Sequence, residues 1–320
     1  MASYLITGGA GFIGSHIAAA LLESGHRVRV IDDLVFGKKE NLAGMDLEFV
    51  EGSILDESLL NQTMSGMDGV FHEAALPSVP RSVKDPLASH EVNSTGTLRV
   101  LMAARDAGAK VVFAASSSAY GDTEVLPKHE DMPVQPLSPY AVAKVYGEQL
   151  CSVFGHVYDM ETVILRYFNV FGPRQREDSP YSGVIAKFCA AALNGEEVHV
   201  DGDGMQSRDF TYVTDVARGN LLAMETSLPP GTLMNLAGGG RFTLLDLLDA
   251  LEKILGKPIA RKHGEPRTGD VKHSQASVDK AKALMGFETA IGFQEGLQLT
   301  LDWYRTTLSD STLTKQETTP

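Results

Sequence analysis

Seven residues near the N-terminus restrict the folds open to this chain more than any other feature. Gly8-Gly9-Ala10-Gly11-Phe12-Ile13-Gly14 follows a short apolar run at residues 3–7 and leads into an amphipathic pattern from about Phe12 to Ser24. A buried strand, a glycine turn and a helix, in that order, make the context a dinucleotide site requires. With the spacing G-x-x-G-x-x-G, Gly8 allows the tight turn, Gly11 lets a pyrophosphate approach the backbone, and Gly14 lets helix pack on strand. The phosphates would sit on the helix N-terminus. Residues 27–31 read as a second strand, and Asp32 stands at its C-terminal end, 18 residues past Gly14. A carboxylate there accepts hydrogen bonds from an adenosine ribose and repels a 2′-phosphate, which favours NAD over NADP. Asp33 reads as a turn or capping residue. Lys38 and Lys39 read as solvated loop lysines, with a phosphate contact as the alternative.

The same alternation continues through the first half. Strands are predicted near 3–7, 27–31, 47–50, 69–72, 110–115 and 162–166, and helices near 12–24, 56–64, 92–108 and 141–156. That is the pattern of an α/β chain with a doubly wound parallel sheet. Residues 111–115, Val-Val-Phe-Ala-Ala, are apolar throughout, as a central strand covered on both faces is. After Phe168 the texture changes to long polar loops and short elements: helices near 184–194, 214–226, 243–255, 277–285 and 293–307, and a strand near 197–200. We expect a smaller, mixed α/β lobe from residues 169–210 and 238–308, with 211–237 returning to the first unit of 1–168. Residues 309–320 are rich in Thr and Ser and are expected to form a disordered tail. A net charge of −13 argues against a nucleic-acid partner. No apolar run approaches the ~20 residues of a membrane span, and the glycine turn begins too early for a cleaved signal peptide. Cys151 and Cys189 have no metal-type spacing and read as reduced core thiols of a cytoplasmic protein.

The chemistry is carried by Tyr140-Ala-Val-Ala-Lys144 and by Ser116-Ser117-Ser118 at the end of the predicted fifth strand, where ligands bind in such sheets. Tyrosine in water, with a pKa near ~10, is a poor base at neutral pH. A lysine four residues on lies on the same helical face, and its charge can stabilise a phenolate. A serine hydroxyl can then hold an alcohol oxygen against that phenolate. The set suits removal of a proton from an alcohol while hydride leaves the carbon. Tyr-x-x-x-Lys alone is equally a surface helix with an ordinary Tyr and Lys; the glycine turn, Asp32 and His72-Glu73-Ala74-Ala75 give it context. Small Ala74 and Ala75 at a strand end let a flat cofactor pass close to the backbone, and His72 reads as a packed structural histidine.

Together with Leu165-Arg166-Tyr167-Phe168-Asn169, these motifs resemble the extended short-chain dehydrogenase/reductases, the nucleotide-sugar epimerases and dehydratases, over about residues 1–307. The segments at 75–82, 137–142, 201–210 and 267–274 are most similar to those of the UDP-N-acetylglucosamine 4-epimerases, with the UDP-glucose 4-epimerases beside them. The resemblance implies a Rossmann sheet with NAD held by Gly8, Gly11, Phe12 and Ile13 at the first turn. Asp32, Asp33, Gly37 and Lys38 would contribute after the second strand, Ser53 and Ile54 after the third, and Ala74 and Ala75 after the fourth, with Tyr140 and Lys144 beneath. It implies a UDP-sugar lying along Pro77, Ser78 and Arg81, then Ser116 and Ser118, then Asn169 and Gln175. Val184, Lys187 and Phe188 would lie along the nucleotide, and His199, Val200 and Asp201 would flank uracil and ribose. Arg208 and Arg267 would clamp the diphosphate, Asp270 would bind the uridine ribose, and Ser274 would border the sugar C2 substituent. No metal is implied. A homodimer through the 92–108 and 141–156 helices is.

Two positions depart from the family pattern. Ser53 stands where an aspartate often meets the adenine amine, and Pro77 stands where glycine or lysine is common. Relatives that eliminate water from the sugar carry Thr-Asp-Glu in place of the serines, and decarboxylases carry Glu at position 118. This chain has no acid at 116–118. The 3,5-epimerases use a Cys–Lys pair, and neither cysteine stands at the matching place. The remaining chemistry is transient oxidation at C4. Tyr140 takes the O4 proton, the 4-keto sugar turns over about its diphosphate link, and reduction from the other face follows. A net nucleotide-sugar oxidoreductase, which must exchange its cofactor each turnover, is the competing class. Other UDP-sugars, including UDP-glucuronate, are alternative substrates.

Overall fold

A seven-stranded parallel sheet organises the chain. The computed structural model describes residues 1–177, 183–265 and 271–317, with side chains through 307. In chain order the first half contains β1 (Ser3–Thr7), α1 (Phe12–Glu23), β2 (Arg27–Asp32), β3 (Glu48–Glu51), α2 (Glu57–Met64) and β4 (Gly69–His72). Then come α3 (Val79–Lys84), α4 (Pro86–His90), α5 (Gly96–Ala107), β5 (Lys110–Ser116), α6 (Pro139–Tyr158) and β6 (Thr162–Tyr167). A π-helical turn at Glu91–Thr95 joins α4 to α5. The second half contains β7 (Val170–Phe171), α7 (Val184–Asn194), β8 (Val198–Asp201), β9 (Ser207–Arg208), β10 (Thr211–Tyr212), α8 (Val213–Glu225) and β11 (Thr232–Leu236). It ends with β12 (Phe242–Thr243), α9 (Leu244–Leu255), β13 (Arg261–Gly264), α10 (Asp279–Met285) and α11 (Phe293–Glu317).

The sheet order is β11-β6-β5-β4-β1-β2-β3, and every pair is parallel. From β1 the chain moves outward through β2 and β3, then returns to start the other half at β4. The crevice outside the strand ends of β1 and β4 is therefore the place where this topology binds ligands. Val111, Val112 and Phe113 on β5 are at most 1% exposed, because helices cover both faces. One face packs Ile17 and Leu21 of α1 and Val216 of α8. The other packs Leu60 of α2, Leu101 of α5 and Phe154 of α6. A third core joins Phe188 of α7, Val200 of β8, Leu247 and Leu251 of α9, and Leu301 and Tyr304 of α11.

The doubly wound parallel sheet expected from the sequence is present, with a seventh strand, β11, that the pattern did not show. Asn235 interrupts its apolar run and is fully buried. Its amide donates to the Lys128 and Ser277 carbonyls (both 3.2 Å) and its Oδ1 accepts from the Tyr120 hydroxyl (2.7 Å). These tertiary partners make a buried polar residue tolerable in a sheet. α11 runs on through residues 309–317. Once Leu297, Leu301 and Tyr304 are buried, extending a formed helix costs less than starting one. Both cysteines are free and buried. Among the described residues no helix is long and apolar enough to cross a membrane.

Candidate active site

The first wall of the site is the glycine turn. Gly8 sits at φ +71°, and a Cβ there would fall 2.7 Å from the Ala74 backbone nitrogen. A Cβ on Gly14 would fall 2.5 Å from the Gly8 carbonyl oxygen. The turn thus lies flat against the end of β4, and nothing larger than glycine fits. Gly11 caps α1 without a side-chain hydrogen bond, and no acid occupies the first helical turn. The N–H groups at that end remain open to an anion. Asp32, 7% exposed, accepts from the Ala10 N–H (3.0 Å) and the Leu34 N–H (2.8 Å). Burial raises its pKa against the pull of those bonds. A carboxylate has about four acceptor positions, and with the Gly11 N–H also counted one remains for a hydroxyl in the cleft that Asp32 lines. The cradle fits a dinucleotide.

The second wall is α6. Ser138 caps it, accepting from the Ala141 N–H at 3.2 Å, and Pro139 opens the first turn. Tyr140 therefore sits in the first turn, with Lys144 one turn on. A Cβ on Gly147 would fall 2.4 Å from the Phe113 ring, so the helix lies close against β5. Beneath it, buried Arg166 makes a bidentate pair with Glu148 (2.8 and 2.6 Å) that ties α6 to β6. At the end of β5, the Ser116 Oγ accepts from the Ser118 hydroxyl (2.9 Å) and the Ser118 N–H (3.2 Å).

The Lys144 Nζ donates to the Ala114 carbonyl at 2.7 Å and lies 5.9 Å from the Tyr140 ring centroid. Burial lowers its pKa, opposed by the charges of Glu73 and Glu148. Burial pushes Tyr140 up to about 12; a hydrogen bond with Ser116 pulls it down, and the Glu73 charge raises it. Among the chain's own groups burial outweighs the help the site supplies.

One cleft of about 640 Å³ joins these walls. Gly8, Gly11, Phe12, Ile13, Asp32, Asp33, Gly37, Ser53 and Ile54 line it at one end, and Ala74, Ala75, Pro77, Ser78, Arg81, Tyr140, Lys144 and Gln175 at the other. Asp33 also caps its own turn, accepting from the Val35 N–H at 3.1 Å. Ser78 has φ +98° and caps α3 through the Arg81 N–H (3.3 Å). Arg81 stacks over the Phe36 ring at 4.1 Å.

Other expected site residues lie elsewhere. Lys38 is exposed and outside the cleft lining, and Lys39 pairs with Glu51 at 2.7 Å. The Asn169 amide donates to the Asp209 carbonyl at 3.1 Å. Phe188 and Val200 are buried in the third core, at 4% and 0% exposure. Those two side chains pack in that core. Val184, at the start of α7, packs partly against the same core, and the Lys187 N–H donates to the Gly183 carbonyl at 3.2 Å. The exposed side chain of His199 comes within 3.6 Å of Asp201. Arg208 donates to the Ser207 (3.0 Å) and Lys272 (3.3 Å) carbonyls. Ser274 is buried, its N–H donating to the Ser207 carbonyl at 3.0 Å. Ser117 opens the short turn after β5. Arg267 and Asp270 lie outside the described residues.

Three charged cleft residues escaped the sequence reading. Arg174 donates to the Ser15 carbonyl at 3.1 Å, holding its loop on α1, and Arg176 lines the cleft beside it. Glu73 faces Lys144, and its Oε1 accepts from the Tyr167 hydroxyl at 2.7 Å. Burial raises its pKa, with Tyr167 and the Lys144 charge opposing. The His72 ring is held by Thr7 (2.8 Å) and Thr97 (2.9 Å), in keeping with a structural histidine.

The NAD dependent epimerase/dehydratase family model matches residues 4–237. UDP-glucose 4-epimerase of Mycolicibacterium smegmatis is 36% identical over 308 residues, covering 94% of this chain and 98% of the relative. Among solved structures, UDP-glucose 4-epimerase of Thermotoga maritima with UDP-glucose superposes with a TM-score of 0.92 at 40% identity, covering 96% of this chain and 99% of that one. UDP-N-acetylglucosamine 4-epimerase of Methanobrevibacter ruminantium M1, in complex with UDP-N-acetylmuramic acid, also gives 0.92, at 38% identity with the same coverage.

Proposed function

The chain belongs to the NAD-dependent epimerase/dehydratase family, and from that premise we propose an NAD-dependent nucleotide-sugar 4-epimerase that interconverts UDP-N-acetylglucosamine and UDP-N-acetylgalactosamine, and also accepts UDP-glucose and UDP-galactose. The observation that carries the reaction is that Tyr140 and Lys144 line one cleft with the glycine turn, with the Ser116 hydroxyl close enough to Tyr140 to pull its pKa down. Residues 1–168 with 211–237 hold the cofactor, and 169–210 with 238–308 hold the sugar nucleotide.

Gly8, Gly11 and the open end of α1 take the pyrophosphate, and Asp32 takes the adenosine ribose. NAD, when bound, supplies the acceptor and donor of the C4 hydride and is left unchanged after each turnover. Ser116 holds O4 against the Tyr140 hydroxyl. Tyr140, as phenolate, accepts the O4 proton and returns it to the same oxygen once the 4-keto sugar has turned. Lys144 contributes positive charge from within the α6 turn. Arg208, Arg174 and Arg176 offer guanidinium groups suited to a diphosphate.

The proposed N-acetyl preference rests on Ser274, a small residue which in the resembling enzymes borders the C2 substituent and which is buried here, outside the cleft lining. A spacious pocket does not strongly reject a smaller ligand, so both sugar pairs are expected to turn over. The test is purified protein incubated with each UDP-sugar and no added cofactor. Ser274→Tyr should abolish turnover of the N-acetylated pair and spare UDP-glucose. Equal loss on both pairs, or no N-acetyl activity in the parent, would remove Ser274 as the gate; a requirement for added NAD in stoichiometric amount would favour a net oxidoreductase.

The protein is also proposed to pair with a second copy. Val83, Leu87, Val142, Tyr146, Val153 and Val157 on α3, α4 and α6 are 41–67% exposed, and α6 packs against both shorter helices. Exposed apolar side chains on adjoining helices suit an interaction face. Sedimentation of Val153→Lys against the parent checks it: the substitution should yield monomers.

A further inference from the structure

The hydrogen-bond pattern around Tyr167 does not balance unless a neighbouring carboxyl carries a proton. The Tyr167 oxygen lies 2.7 Å from the Glu73 Oε1 and 2.9 Å from the Asn220 Oδ1. The orientation of Asn220 is fixed, because its Nδ2 donates to the Val216 carbonyl at 2.9 Å; its Oδ1 must face the tyrosine. A phenol has one proton, so it cannot donate to both oxygens. A protonated Glu73 resolves the conflict, donating to Tyr167, which donates to Asn220. Tyr167 is 8% exposed and Asn220 fully buried, where a missing partner is costly, and Glu73 is half-buried at the cleft wall.

Glu73 also stands at the chemical centre of the cleft. It follows β4, its N–H donates to the Thr7 carbonyl at 3.1 Å, and the next residue, Ala74, abuts Gly8. The titratable groups facing it are Lys144 and Tyr140 on α6 and Tyr167 on β6. His72, its neighbour on β4, is held between two threonines and kept neutral by burial. From α8 only the uncharged Asn220 approaches.

We propose that Glu73 is a switchable positioning residue. Protonated, it completes the Glu73–Tyr167–Asn220 chain and leaves the Lys144 charge to Tyr140. Ionised, it draws on that charge and holds Tyr140 in its protonated form. The proton leaves Glu73 to solvent through the cleft and returns the same way; no bond to the sugar changes. Burial, which favours the neutral carboxyl, places the switch within reach of working pH. The proposal rests on Tyr140 as the base, and the two can fail separately.

The test uses the NAD-loaded protein. Infrared difference spectra across a pH titration should show the carbonyl stretch of a protonated buried carboxyl, absent from Glu73→Gln. The acid limb of the kcat profile should move to lower pH in Glu73→Gln by roughly one unit, as removal of a nearby negative charge predicts, with KM for the UDP-sugar little changed. Tyr167→Phe removes the hydroxyl that an ionised Glu73 accepts from, so the infrared band should persist to higher pH. No titrating carboxyl band in the parent, or a band unaltered by Glu73→Gln, would overturn the proposal, as would an acid limb that stays in place or moves upward. Should Glu73→Gln not fold, the Tyr167→Phe titration decides, and an unmoved band there counts against it. Turnover by Tyr140→Phe would instead overturn the base, whatever the infrared shows.

Discussion

Replacing Gly8 by alanine separates what a glycine does for the backbone from what it does for the site. Two penalties act together there. At φ +71° an L-residue is disfavoured by ~1–2 kcal/mol. The new Cβ would also stand 2.7 Å from the Ala74 nitrogen and 2.8 Å from its Cα, and backbone atoms cannot swing aside as a side-chain tip can. Overpacking of that kind costs a further ~1–3 kcal/mol. Gly25 provides the control. It has nearly the same φ, +76°, but nothing within 4 Å of its Cβ position. Gly25→Ala should lose only the first penalty and retain its cofactor. Gly8→Ala should lose about 2–5 kcal/mol in all and, because Ala74 is pushed off the turn, emerge with little bound NAD. Urea unfolding of both variants gives the stability difference, and mass spectrometry of the native proteins gives the NAD content. Equal destabilisation of the two variants, with NAD retained by Gly8→Ala, would refute the view that the turn is held flat against β4.

Other expectations follow from the same geometry. Tyr140→Phe should keep the fold and the cofactor while losing roughly 10²–10⁴-fold in turnover, the usual share of a general base; near-parental turnover would remove Tyr140 from that role. Asp32→Ala should reduce discrimination against NADP, read as the ratio of NAD to NADP dissociation constants, and should cost about 1–3 kcal/mol because the Ala10 and Leu34 N–H groups lose an acceptor. His72 supplies an acid limit. Burial lowers its pKa to about 3 from 6.5, so its contribution is present above pH 6.5 and is lost as pH falls toward 3. Between neutrality and pH 5 that residue alone should remove about 2 kcal/mol. His16, lowered to about 4 by burial, acts in the same direction, so the slope difference between the parent and His72→Gln isolates His72.

Much of this was legible from local pattern. β1, the glycine turn and α1 are contiguous in sequence, and their glycines report close backbone approach directly. The interval of Tyr140 and Lys144 fixes them on one helical face whatever that helix packs on. What escaped depends on residues distant in sequence. Glu73 reads as an unremarked carboxylate until Tyr167, 94 positions away, is placed against it. α3 was hidden by Pro80 and by the left-handed Ser78 before it. Phe188 and Val200 carry the side chains of core residues, and no periodicity tells a core valine from one beside a ligand. Lys144 stood at the expected place, yet its bond to the Ala114 carbonyl and the net upward push on Tyr140 are consequences of burial that spacing does not report.

The position of β11 bears on how the chain is made. β6 ends at Tyr167, and its outer partner does not begin until Thr232. During synthesis of residues 168–231 the Val-Ile-Leu-rich β6 has an open side, a row of unpaired N–H and C=O groups of the kind that templates aggregation. No hairpin can close a parallel pair, and a contact so distant in sequence forms late. Residues 168–231 are therefore synthesised as an excursion before the sheet is sealed. The two halves of the enzyme are born interleaved, and a ribosome pausing within the excursion holds the chain at its most vulnerable length.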